Sequence, residues 1–206
     1  MKNLLNVLGR FCSDHLLDEK IFIVPSYQTG HQIGEDLAKS GSSWVNLQFV
    51  TLPSLAMEIA GTDLSSQGLQ QISGTALRIL INHIFRELKE GSELVYYKDL
   101  EAQAGIIDAI SRSIRDFRAA GIKSTNLKVD QFIDKDKGRE TQLILRRYEE
   151  ELEAGKFFDT ALLYKTASEI AKKGQANSKR HYLCLQDQIF SRLERDQRKR
   201  RMRIGL

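Results

Sequence analysis

Four consecutive apolar residues, Ile21-Phe22-Ile23-Val24, bounded by Lys20 and Pro25, constrain this chain more than any other stretch. A run rich in β-branched residues with no polar alternation reads as a strand covered on both faces, as in a parallel sheet. Pro25 ends it, because proline cannot donate to a ladder. Residues 28–39 read as a helix with Ile33 and Leu37 facing inward and Gly41 as its stop. Trp44 to Leu52 reads as a second strand, in which Val45, Leu47 and Phe49 alternate before Val50 and Leu52. Thr51-Leu52-Pro53 then opens a short helix through Ala60. Ahead of all this, Leu4, Leu5, Val7, Leu8 and Phe11 share one face of a helix over residues 3–12. Strand, helix, strand and helix joined by short connections make a βαβ unit.

Beyond Gly61 the pattern changes. Residues 62–73 read as a polar loop, and helices follow almost without interruption to Lys173. Ser73 can cap a helix carrying Leu77, Leu80, Ile81, Ile84, Phe85 and Leu88 at helical spacing. A helix from Lys98 to Ala120 places Ile106, Ile107, Ile110, Ile114 and Phe117 on one stripe, closed by Gly121. A short helix around Val129–Ile133, a long one from Arg139 to Ala154 and a last one from Asp159 to Ala171 complete the set. His181-Tyr-Leu-Cys-Leu185 returns to a strand pattern. The expected organisation is therefore 1–61 as half of a sheet core, 62–173 as a helical insertion, 174–190 as a linker with a returning strand, and 191–206 as a charged tail.

Charge is distributed unevenly along the chain. Residues 1–110 hold 8 Lys/Arg and 13 Asp/Glu, whereas residues 111–206 hold 23 and 14. The last 28 residues carry 9 basic and 3 acidic side chains, so the formal net charge of +4 reflects that end of the chain. No apolar run approaches the roughly 20 residues of a spanning helix. The charged residues near the N-terminus fit an amphipathic helix and not a signal peptide. Cys12 and Cys184 form no Cys-x-x-Cys pair, which suits a reducing, cytoplasmic setting.

Most catalytic signatures are missing. Gly30 and Gly34 follow a strand, but Glu35 and Asp36 come after Gly34, where a phosphate loop needs Lys and Ser/Thr. The run Tyr182–Leu185 is followed by Gln186-Asp187 and not by the Asp-Glu of a Walker B strand. His15, His31, His83 and His181 are scattered without a His-Glu-x-x-His, and no metal site is expected. No Gly-x-Ser-x-Gly occurs. The constellation that stands out is basic. Arg112, Arg115 and Arg118 recur every three residues beside the Ile106/Ile110/Ile114 stripe, and Lys123 and Lys128 extend the row. Such a row can follow a phosphate backbone, and it can also be a solvated helix face.

Two stretches, KIFIVPSYQTGHQIGEDLA and WVNLQFVTLPSLAMEIAG, resemble the N-terminal region of the AddB and RecC type subunits of bacterial helicase–nucleases. In that family a strand ending in Val-Pro leads to a helix, and a second strand reading Val-x-Thr/Ser leads to another. The later stretches IRDFRAAGI and LILRRYEEELEAGKFFDTALLYKTA resemble the helical 1B insertion of the same superfamily 1 helicase core. The resemblance covers roughly residues 1–190. It implies an α/β fold: a small parallel βαβ sheet, a degenerate P-loop helicase core, with a large all-helical insertion. It also implies a DNA repair and recombination module that binds DNA or a partner helicase–nuclease subunit, with no membrane association.

Three departures shape the expectation. A helix stands where AddB members usually begin with a phosphate loop, as in RecC-like pseudo-helicases. The Walker B acids are replaced. The chain stops before a PD-(D/E)xK nuclease motif, which suggests a truncated or frameshifted product, or a fragment. The chain is thus expected to hold no ATP or Mg²⁺ of its own, to catalyse nothing alone, and to touch DNA through Arg112, Arg115, Arg118, Lys123 and Lys128. The alternatives are a helical protein–protein scaffold without DNA binding, or an active NTPase with an unusual phosphate site near Pro25–Gly34.

Overall fold

The computed structural model describes residues 2–173 and 180–184. Within these the protein is mixed α/β and mostly helical, with small parallel sheets. It divides into a sheet unit, Met1–Thr62 with the described residues from Leu163 onward, and a helical unit, Asp63–Leu162.

The sheet unit is built around β1 (Glu19–Ile23). Helix α1 (Lys2–Asp14) precedes it, and α2 (Tyr27–Lys39) carries the chain to β2 (Leu47–Val50). Helix α3 (Leu52–Ser66) follows. After the helical unit and α7 (Thr160–Lys172), the chain returns as β5 (Arg180–Cys184). The strand order is β2-β1-β5, with β1 parallel to both neighbours. Phe22 lies opposite Phe49 on one side and Leu183 on the other. Ile21, Phe22 and Val24 have no exposed surface, as a strand covered on both faces requires. Leu8, Cys12, Ile33, Leu37, Leu47 and Leu183 close the core around Phe22 and Val24.

Helix α2 begins at Ser26, whose hydroxyl accepts the Thr29 N–H at 3.2 Å and so satisfies one of the free donors of the first turn. Gly30 lets that helix approach β2 closely. A Cβ there would stand 2.6 Å from the Cβ of Phe49, far inside contact distance. The returning strand predicted over 181–185 is present as β5, while Leu185 and the tail at 191–206 lie outside the described residues.

The helical unit packs α4 (Gly74–Glu90), α5 (Ala104–Ala119) and α6 (Lys135–Ala154) around Leu77, Ile81, Ile84, Phe85, Ile107, Ile110, Ile114, Ile144, Leu145 and Tyr148. Ser73 caps α4 by accepting the Ala76 N–H, as the sequence predicts.

Several boundaries differ from the sequence reading. Helix α3 runs through Gly61 to Ser66, because Leu64 continues its buried face and the left-handed Gly68 (φ +74°) stops the chain only later. Helix α5 starts at Ala104 and not near Lys98. The preceding residues 95–97 are held out of a helix by Glu140, whose buried carboxylate accepts the backbone N–H groups of Val95, Tyr96 and Tyr97. The short helix expected around Val129–Ile133 is a 3₁₀ turn at Val129–Gln131, following another at Ser124–Asn126. Residues 62–73 also supply β3 (Gln70–Gln71), which pairs in parallel with β4 (Phe157–Phe158). Two-residue ladders carry too little pattern to be read from sequence.

Candidate nucleic-acid interface

The five cations singled out by sequence all lie in the helical unit. Arg112, Arg115 and Arg118 occur on α5. Lys123 and Lys128 precede the two 3₁₀ turns that follow it. Arg112, Arg115, Lys123 and Lys128 are exposed. Among the described residues, none of these four lies within ion-pair distance of a carboxylate. Arg112 reaches only the carbonyl of Asp108 on its own helix, at 3.3 Å.

Arg118 is placed differently. Its side chain is 15% exposed, and its fork meets Asp159 through Nε (2.8 Å) and Nη2 (3.3 Å), and Glu149 through Nη1 (3.0 Å). Glu149 in turn accepts the hydroxyl and N–H of Ser124, while Asp159 accepts the N–H of Leu162 in the first turn of α7. One guanidinium thus ties the end of α5 to the Ser124 turn, α6 and the start of α7. Burial disfavours its charge, but the hydrogen bonds and charge of Asp159, with Glu149 beyond, outweigh that and hold its pKa above the ordinary arginine value. Burial first, and the Asp159 charge next, push the hydroxyl of neighbouring Tyr148 well above the usual tyrosine range. A planar fork satisfied by two carboxylates has little left for a phosphate.

Residues that sequence reasoning passed over lie beside the exposed lysines. Ser124, Thr125, Arg139, Gln142, Leu143 and Arg146 line a cleft of about 440 Å³. Arg139 and Arg146 stand seven residues apart on α6, two helical turns, and that spacing is the signal that could have found them. Their nearest anions, Asp136 and Glu150, belong to their own helix and are exposed. A larger groove of about 740 Å³ runs past Tyr96, Leu100, Ile106, Phe117, Phe132 and Ile133, and Ile133 is fully exposed.

The turn after β1 shows what its glycines do. Gly30 and Gly34 both face Phe49, so they serve helix–strand packing. Glu35 is held near His31 and Lys39 on the exposed face of α2. At the carboxyl ends of β1 and β2, the Tyr27 hydroxyl meets Ser54 at 2.6 Å, and Ser54 meets Thr51 at 2.8 Å. Cys12 is buried, and burial pushes its thiol up.

The fold also gathers a group that is dispersed in sequence. His15 Nδ1 and His181 Nε2 each lie 3.0 Å from Asp18 Oδ2. Hydrogen bonds from His181 and then His15 hold the Asp18 carboxyl below its ordinary range. No local spacing announces this trio, because it exists only through the pairing of β5 with β1.

Fold and site together define an α/β protein whose parallel sheet is interrupted by a long helical insertion bearing exposed cations. No helix among the described residues is long and apolar enough to cross a membrane. Residues 7–195 match the model of the AddB N-terminal family, and the chain belongs to that family, the front region of AddB-type DNA repair helicase–nuclease subunits. No curated protein matches the chain.

Proposed function

We propose that this chain is a helicase-like module that binds DNA through its helical unit and does not itself hydrolyse ATP. Arg112, Arg115, Lys123 and Lys128 contact phosphates, and Arg139 and Arg146 extend the path across the Ser124–Thr125 cleft. Arg118 organises the turns that present them. The observation that carries the reading is the contrast within α5: Arg118 is enclosed by carboxylates, while Arg112 and Arg115 face solvent with none in reach among the described residues. The absence of a phosphate-loop Lys-Ser/Thr after Gly34, and the packing of both glycines on Phe49, support an ATPase-inactive core.

Fluorescence anisotropy with labelled single-stranded and duplex DNA tests this reading. The combined change Arg112→Ala, Arg115→Ala, Lys123→Ala, Lys128→Ala weakens binding of both, because phosphate contacts carry no sequence information. Affinity equal to that of the unaltered chain removes these residues from the interface. The second reading, a scaffold for a partner helicase–nuclease subunit, is favoured by the apolar groove at Phe117, Phe132 and Ile133. It predicts salt-insensitive capture of that subunit, lost on Ile133→Asp, by a chain with no DNA affinity.

A further inference from the structure

We propose that His15, Asp18 and His181 form a binding site for a divalent transition metal of the zinc class, clipping β5 to the end of α1. The proposal is independent of DNA binding and lies wholly within the sheet unit.

The three ligand atoms, His15 Nδ1, Asp18 Oδ2 and His181 Nε2, all lie within 4.8 Å of one another. Both nitrogens stand 3.0 Å from the same carboxylate oxygen. Zinc bonds of about 2.0–2.1 Å to nitrogen and oxygen place neighbouring ligands of a tetrahedron roughly 3.3 Å apart. The trio therefore needs movements of only a few tenths of an ångström along those two edges to accept a cation. The two imidazole rings, 4.3 Å apart, converge beside Phe11, whose ring meets that of His181 edge-on. Side-chain exposures of 35%, 50% and 27% leave one side open to water, which supplies the remaining coordination position.

The site is also held in place before any metal arrives. His15 and Asp18 lie in the bend between α1 and β1, and all four carbonyls of residues 15–18 are bonded. The buried ammonium of Lys20 donates to His15 O, Leu16 O and Asp18 O, and the Asn46 amide donates to Leu17 O. His181 is fixed by the parallel ladder, in which it stands opposite Lys20. Ligands from two separate elements are thus presented by a pinned bend and a paired strand, and such second-layer support is what orients metal ligands.

The donor set selects the metal. Two imidazole nitrogens and one carboxylate suit zinc, cobalt, nickel and copper, whereas calcium and magnesium want oxygen-only shells. A single carboxylate brings little negative charge to the site, so the nitrogen donors must hold the ion. That too disfavours the hard cations.

The test is titration of the full chain with Co²⁺, followed by displacement with Zn²⁺. One equivalent of Co²⁺ gives visible d–d absorption, Zn²⁺ abolishes it, and Zn²⁺ raises the melting temperature. His181→Gln and Asp18→Asn each weaken Co²⁺ binding by about tenfold or more. The double change His31→Gln, His83→Gln leaves binding intact, because those exposed histidines sit on other helices. Asp18→Asn alters a half-exposed side chain and keeps an oxygen acceptor, so it reports on the site even where His181→Gln fails to fold. Absence of stoichiometric binding overturns the proposal, leaving only a carboxylate that accepts two imidazole N–H bonds. An unchanged spectrum in Asp18→Asn and His181→Gln overturns it equally.

Discussion

The middle of α5 and its last turn carry the same residue type with opposite fates. Arg112 and Arg115 point to solvent, whereas Arg118, one turn further, is enclosed by Asp159 and Glu149. The sheet unit also holds two cations bonded by their own chain, one buried and one near the surface. Lys20 is fully buried against three carbonyls, and Arg180 bridges Glu19 and Glu58. A cation surrounded by its own chain's acceptors defines a junction of the fold. A cation without them is available to an outside anion. Charge spacing along a helix cannot separate the two, because the acceptors come from elsewhere in the sequence.

Arg118→Ala should have the largest effect. It leaves Asp159 and Glu149 uncompensated and should cost about 3 kcal/mol, at the lower end for removing one partner of a buried pair because Glu149 is partly exposed. Urea unfolding measures it, and a loss comparable to that of a surface arginine would move Arg118 into the exposed class. Lys20→Met follows. It removes the ammonium donor from the carbonyls of His15, Leu16 and Asp18, of which only that of His15 keeps another partner, the Asp18 N–H, and should cost roughly 2 kcal/mol, read from the same transition. Arg180→Ala removes two ion pairs that solvent screens, so its effect should be smaller, on the order of 0.5–1 kcal/mol, and should shrink further in high salt. The Glu58 hydrogen bond, acting against burial and joined by Glu19, raises the Arg180 pKa, so its charge is present across the whole working pH range. At the far end, Arg112→Ala with Arg115→Ala should leave the melting temperature unchanged in differential scanning calorimetry. A clear drop would show that these side chains also support the fold.

Much of this architecture is legible in the residues. Ile21–Val24 announces a doubly covered strand, Ser73 announces the start of α4, and the Ile107/Ile110/Ile114 stripe announces the face of α5 that packs inward. What stays hidden depends on contacts between distant positions. The start of α5 depends on Glu140, 45 residues beyond Val95 in sequence. The role of Arg118 depends on Asp159, and the His15–Asp18–His181 trio depends on a ladder joining positions 161 residues apart. The exposed cations could be named from sequence, but Arg118 could be told apart from them only by its partners.

In the function proposed above, the exposed cations of the helical unit hold DNA by its phosphates. The most direct measurement is the slope of log affinity against log salt concentration for single-stranded DNA, for the unaltered chain and for the combined change at Arg112, Arg115, Lys123 and Lys128. Each phosphate contact contributes about 0.7 to that slope on a single strand, so losing four should flatten it by roughly 3. A flattening of that size, with the melting temperature retained, is the predicted result. An identical slope and affinity in the altered chain would contradict the claim.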